Sequence, residues 1–233
     1  MKNLIITGGT RGIGLATVKT FASKGFNVAF CARDKNTIEK LLNELKAAYP
    51  QQTFLAIPTD LTIKQQVQEF ADAFVNQFAS VDLLVNNAGI FEPGGISTEA
   101  EGVFERQIAT NVSAAYYLTR ALLPHIKNNT GHIVNICSTA SFTPYVNGGS
   151  YCISKFALLG LGKVLREELK PRGIRVTSIM PGATLTDSWT GTDLPPSRFM
   201  QANDVAQAIW DLNNLPATSV IEELVMRPME GDI

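Results

Sequence analysis

The sequence predicts a single α/β domain in which helices cover both faces of a parallel sheet. Three observations carry this reading. Short apolar runs alternate with longer stretches of helical period. Most runs lack polar alternation, as strands buried on both faces require. Polar and glycine-rich positions fall where the runs end, at the edge where open parallel sheets bind ligands. At 233 residues, 45% hydrophobic and 18% charged, the chain suits one large domain with a substantial core and no disordered tract.

The runs occupy residues 4–6, 28–32, 53–57, 81–85, 132–137, 174–180 and 220–226. Glu222 and Glu223 interrupt the last, which places it at a sheet edge. Between the first strands, Ile38, Leu41, Leu42 and Leu45 form one helical stripe, with Asp34 as its amino-terminal cap. Val67, Phe70, Ala71, Phe74 and Phe78 form a second, and Thr62 followed by Gln65 predicts a capping box at its start. Further helices fit residues 104–127, 150–170 and 204–212. No repeat or linker divides the chain. Strand and helix alternating in this way give a parallel sheet.

Composition excludes several roles. Twenty Lys plus Arg against 21 Asp plus Glu leave a net charge of −1, so no global attraction to nucleic acid or an anionic membrane is expected. No apolar run approaches the roughly 18 residues of a membrane span, and the apolar stretch at the amino terminus is too short for a secretory signal. Cys31, Cys137 and Cys152 form no metal-binding or redox pair, which suggests reduced thiols in the cytoplasm, Cys152 among them as a buried inert group. With His125 and His132 the only histidines, no histidine-based metal site is expected.

The chemistry-bearing residues cluster at strand ends. Gly8, Gly12 and Gly14 follow a strand and open a helix, where missing Cβ atoms permit a tight turn and helix amides favour a phosphate. Tyr151 and Lys155, four apart on a helix, share one face; an ammonium there stabilises phenolate and favours proton exchange near neutrality. Ser138 ends a strand thirteen residues before Tyr151. Asn111 is a polar amide in mid-helix that needs partners if buried. Singly these are a turn serine, a structural amide and an ordinary tyrosine beside a solvated lysine; as a set they point to one site.

Thr7-Gly8-Gly9-Thr10-Arg11-Gly12-Ile13-Gly14, Asn86-Asn87-Ala88-Gly89, Asn111, Ser138, Tyr151-x-x-x-Lys155 and Pro181-Gly182 together resemble the short-chain dehydrogenase/reductase family in its single-domain form. The resemblance implies a Rossmann fold, a doubly wound sheet of about seven strands. It also implies a cytoplasmic oxidoreductase of the carbonyl-reductase type, moving a hydride between NADP(H) and a ketone or secondary alcohol. By this resemblance Tyr151 is the general acid or base, and Lys155 assists it and bonds the nicotinamide ribose. Ser138 polarises the carbonyl, and Asn111 holds a water linking Lys155 to solvent. Gly8, Thr10, Arg11, Gly12, Ile13 and Gly14 would cradle the cofactor. Asp60 and Leu61 would border the adenine, Asn87, Ala88 and Gly89 the adenosine ribose, and Pro181, Gly182 and Thr186 the nicotinamide.

The second strand ends Phe30-Cys31-Ala32-Arg33-Asp34. Family register puts Ala32 where an NAD(H) enzyme carries an acid, so Arg33, joined by Arg11, is expected to converge on a 2′-phosphate. NADP(H) is therefore expected over NAD(H). Residues 183–202 make a short substrate lid, with Phe91, Tyr145 and Trp189 as candidate pocket walls. The tail from Glu223 lacks the glycine-rich end of many 3-oxoacyl-carrier-protein reductases, which stand as the alternative activity. A non-catalytic dinucleotide sensor should lack part of the Asn111, Ser138, Tyr151 and Lys155 set. A nucleotide-sugar epimerase needs more than the roughly fifty residues after Pro181. The family further implies a homodimer or homotetramer built through residues 104–127 and 150–170.

Overall fold

The computed structural model describes residues 1–189 and 191–233. Six strands alternate with helices: β1 (Asn3–Thr7), α1 (Gly12–Ser23), β2 (Asn27–Ala32), α2 (Lys35–Ala48), β3 (Phe54–Pro58), α3 (Lys64–Phe78), β4 (Leu83–Asn86), α4 (Val103–Ile108), α5 (Ala114–Leu122), β5 (His132–Ile136), α6 (Gly149–Leu169) and β6 (Arg175–Pro181). The short strands β7 (Thr184–Leu185) and β8 (Met200–Gln201), then α7 (Ala202–Asn213) and β9 (Glu223–Met226), complete the order. The seven-stranded sheet runs β3-β2-β1-β4-β5-β6-β9, parallel throughout, and the order reverses at β1.

Alternate residues of each strand serve opposite faces. Leu4 and Ile6 of β1 join Val18, Phe21, Ile38, Leu41 and Ile209 beneath α1, α2 and α7. Ile5 joins Phe70, Phe74, Leu118, Leu122 and Ile133 beneath α3, α5 and α6. Both layers exclude water, which is why these strands read as unbroken apolar runs. β9 is the edge strand, and the two acids that interrupt its run serve it: Glu222 pairs with Arg166 at 2.8 Å and Glu223 with Lys163 at 2.9 Å, tying the edge to α6.

Asp34 caps α2, accepting from the Thr37 amide at 2.6 Å, as the stripe requires. The capping box expected at Thr62 and Gln65 does not form. The Thr62 hydroxyl and amide both turn back to Asp60, at 2.7 and 2.9 Å, while Gln66 accepts from the Asp60 amide. The tight turn after β3 takes Thr62 before the helix can. The helix expected over 104–127 also differs. It widens into a π-turn at Ala109–Ser113 and ends at Leu122, because Pro124 cannot continue the ladder. Lys127 lies beyond it, 2.8 Å from Asp82. The last run is strand only from Glu223.

His132 opens β5 fully enclosed at the amino edge of the sheet, remote from the glycine loop. Thr177 donates to the Ile221 carbonyl at 2.6 Å, so its oxygen accepts from His132 Nε2 at 2.9 Å. Burial, and then the nearby Arg175 charge, depress the His132 pKa from 6.5 to about 3. A depressed folded value means the unfolded chain binds the proton first. Stability is therefore full above pH 6.5 and is lost as pH falls towards 3. Urea unfolding should show His132→Gln with a shallower acid slope than wild type, the difference reaching about 2 kcal/mol by pH 5. Parallel slopes would exclude this role.

Candidate active site

The glycine loop, residues 87–89, Ser138 and Gly182 follow the carboxyl ends of β1, β4, β5 and β6, and Lys155 reaches the end of β5. The loop after β1 turns sharply, with Gly8 at φ +70° and Gly12 at φ +52°. These values favour glycine. A methyl on Gly12 would sit 3.0 Å from Thr186 Cγ2, which brings the loop against the lid segment. A methyl on Gly14 would overlap the Gly8 carbonyl and lie 2.6 Å from Asn87 Nδ2. Arg11 precedes α1 without a side-chain cap, and the first turn holds no acid. The helix amides and dipole thus face the loop available to an anion. These features fit a dinucleotide's phosphates. Ile13 contributes backbone there, since its side chain packs on the core.

Thr7 and Asn87 lock this loop to β4. Thr7 Oγ1 accepts from the amides of Asn87 and Ala88 at 3.1 and 3.0 Å. Asn87 Nδ2 donates to the carbonyls of Thr7 and Gly8 at 2.8 and 3.2 Å. Gly89 lies beside Asn111 and Lys155: a methyl there would be 3.4 Å from both Asn111 Oδ1 and Lys155 Nζ.

Asn111 occupies the π-turn and is buried. Its Oδ1 accepts from the Ile90 amide at 2.8 Å, and its Nδ2 donates to the Ile90 carbonyl at 3.0 Å and to Ser154 Oγ at 2.9 Å. The amide side chain is thereby committed to protein groups. Ser154 passes the link on, donating to the Tyr151 carbonyl at 2.7 Å. Sequence reasoning missed Ser154, which lies on the Tyr151 helix three residues on and is wholly buried.

Lys155 is 4% exposed. Its Nζ donates to the Ile136 carbonyl at 2.9 Å, two residues ahead of Ser138, and lies 5.7 Å from the centre of the Tyr151 ring. Tyr151 is half-buried and meets Phe91 edge to face at 4.9 Å. Ser138 Oγ accepts from the Ala140 amide at 3.1 Å, opening the short turn Thr139–Ser141, so its own proton remains to be donated. Lys155 opposes burial at Cys137, but burial prevails and pushes that thiol up to about 11.

The outer positions divide. Arg33 is exposed past β2, and its charge adds to the hydrogen bonds from Thr62 that hold the Asp60 carboxyl below its usual range. Leu61 is buried beside Asp60. Arg11, expected beside Arg33, is paired with an acid of the lid. It reaches Asp187 at 3.4 Å, because the contact between Gly12 and Thr186 carries the lid to its side of the loop. Residues 183–202 hold the β7–β8 pair and two 3₁₀ turns, with no α-helix before Ala202 among the described residues. Trp189 packs on Phe199 at 4.9 Å, bracing the lid from within. Tyr145 lines an apolar cavity of about 410 Å³ with Ile96, Cys152 and Phe156. Burial, together with Tyr151 and Cys152 nearby, pushes its hydroxyl pKa up. Gly182 donates to the Met226 carbonyl at 2.8 Å, seating the end of β6 against the chain's tail.

A family model described as short chain dehydrogenase matches residues 2–194. The 3alpha-hydroxysteroid dehydrogenase of Mediterraneibacter gnavus is 32% identical, the match covering 96% of this chain and 94% of that protein. A short chain dehydrogenase from Burkholderia cenocepacia, solved in complex with NADP, aligns with a TM-score of 0.89 at 28% identity, over 97% of this chain and 96% of that one. L-Sorbose reductase from Gluconobacter frateurii, complexed with NADPH and L-sorbose, aligns with a TM-score of 0.88 at 26% identity, over 97% and 95%.

The crowding at Gly14 reverses an ordinary substitution. Alanine normally favours a helix over glycine by about 1 kcal/mol. Here Gly14→Ala should destabilise by more than about 2 kcal/mol in urea unfolding, since its methyl must displace the Gly8 backbone. A neutral or stabilised variant would show that the loop yields freely.

Proposed function

The chain belongs to the short-chain dehydrogenase family, and from that premise we propose that it is an NADP(H)-dependent reductase of ketones, or dehydrogenase of the matching secondary alcohols. One observation carries this reading. A buried ammonium, a half-buried phenol and a serine hydroxyl meet at the sheet edge beside an uncapped helix end. Bound NADP(H) would supply or accept the hydride, with its phosphates held by residues 8–14 and its riboses bordered by Asn87, Ala88, Gly89 and Lys155.

Each side chain has a distinct task. Ser138 donates a hydrogen bond to the substrate oxygen, keeping its proton, and fixes the carbonyl. Tyr151 gives that oxygen its proton. Lys155, with no carboxylate within ion-pair range among the described residues, stabilises the negative charge left on Tyr151. Asn111 holds the Ile90 loop and Ser154, and so the backbone carrying Tyr151. The reading of a non-catalytic sensor loses ground because all four groups are present with their supports.

The cofactor preference follows from Asp34. Its carboxylate is engaged with Thr37, whose side chain and then amide hold its pKa below the usual range. It is thus occupied as a cap, while Arg33 remains exposed to a 2′-phosphate. Three buried, unpaired cysteines suit a reducing cytoplasm. Exposed Tyr116, Ile153, Phe156 and Val164 on α5 and α6 suit assembly into a homodimer or homotetramer.

Tyr151→Phe should lower kcat for ketone reduction at least a hundredfold while NADPH affinity stays within a few fold, as loss of a positioned acid implies. Lys155→Ala should damage both. Near-normal turnover by Tyr151→Phe on several ketones would remove the assignment. Steady-state kinetics should also show kcat/KM at least tenfold higher with NADPH than with NADH, and Arg33→Ala should erase most of that gap. Equal efficiency of the wild type with both would place Asp34, not Arg33, at the ribose.

A further inference from the structure

Arg227 is a cation carried to the carboxyl edge by the tail just past β9. Its guanidinium lies 5.7 Å from the centre of the Phe142 ring, and Phe142 ends the turn that Ser138 opens. Its Nε donates to Asp232 Oδ2 at 2.8 Å, the two side chains being 41% and 49% exposed. Asp232 in turn lies against Gly182, where a methyl would sit 2.9 Å from its Oδ1. The tail therefore crosses from the Pro181-Gly182 loop to the Ser138 turn, the two segments that flank the reacting groups.

Phe142 beneath Arg227 is partly exposed, as is Phe91, which packs on Tyr151. Against such rings a guanidinium is a specific recognition element. Asp232 engages the guanidinium fork through Nε, and a substrate carboxylate that displaces it meets N–H groups in the geometry that suits a carboxylate. A half-exposed pair within one tail segment is weak enough for a competing anion to displace. We propose that Arg227 is a specificity-determining residue: it binds a carboxylate that the substrate carries at a distance from its carbonyl, and Asp232 holds the guanidinium in place until that carboxylate replaces it. The substrate class is then the keto acids and their hydroxy acids. This rests on the reductase reading above.

The test uses 4-oxopentanoate and 5-oxohexanoate, each beside its methyl ester, reduced with NADPH by wild type, Arg227→Met and Asp232→Asn. Arg227→Met should lower kcat/KM for the acids at least tenfold and change that for the esters less than twofold. Asp232→Asn should raise it for the acids alone. Equal losses for acid and ester, or no loss for either, would overturn the anion site while leaving the reductase intact. Failure of the wild type to reduce any of the four compounds would count against the reductase reading. Calorimetric binding of the keto acids then decides the anion site separately: binding abolished by Arg227→Met supports it, and binding unchanged by that variant overturns it.

Discussion

All seven strands of the large sheet run parallel, and this single constraint governs the molecule. Parallel neighbours need long crossovers, which the helices supply, and those helices bury both faces. The same direction sends every carboxyl end to one edge. Residues 7–14, 86–89, 138 and 181–182 share that edge although more than a hundred residues separate the first from the last. Core and site are joined mechanically as well. Gly9 sits so close to Phe30 that a methyl would come within 2.5 Å of its Cβ, so the glycine loop rests directly on a fully buried core residue.

The site is ordered by polar groups committed to protein partners. Asn111 spends its amide on Ile90 and Ser154, Lys155 reaches the Ile136 carbonyl, and Thr7 collects two backbone amides. Each bond adds only about 1 kcal/mol net, but leaving such a buried group unpaired costs about 1–3 kcal/mol. The penalty for other arrangements, more than the bonds themselves, fixes the geometry. Against this frame stand the groups left available: the proton of Ser138, the amides of α1 and the charge of Lys155. The proposed chemistry, which moves a proton and holds an anion, needs that division between committed and open groups.

Much of this was legible in the sequence because its causes are local. Strand runs and helical stripes report burial through spacing alone, and the glycine and polar residues at the strand ends located the edge. Asp34 could be assigned as a cap because the stripe of Ile38, Leu41 and Leu45 begins just after it. Local signals failed where two of them competed. Thr62 had the spacing of a cap, but the turn at Asp60 claimed its hydroxyl. Pro124 lay inside a long apolar stretch and still ended the helix.

The sequence by itself determined the α/β order and the edge position of β9 through Glu222 and Glu223, because both depend on residue type at short spacing; the set of Asn111, Ser138, Tyr151 and Lys155 was pointed to by its resemblance to the family. Only the tertiary structure decided that Arg11 turns to Asp187, 176 positions away. It alone widened the helix at Asn111 to meet Ile90 and Ser154, and it alone brought Arg227 over Phe142 and Asp232 against Gly182. The physical reason is common to all three. A long, charged or polar side chain takes the partner that the fold brings within reach, and that distance is set by how the sheet and its loops pack, not by separation along the chain.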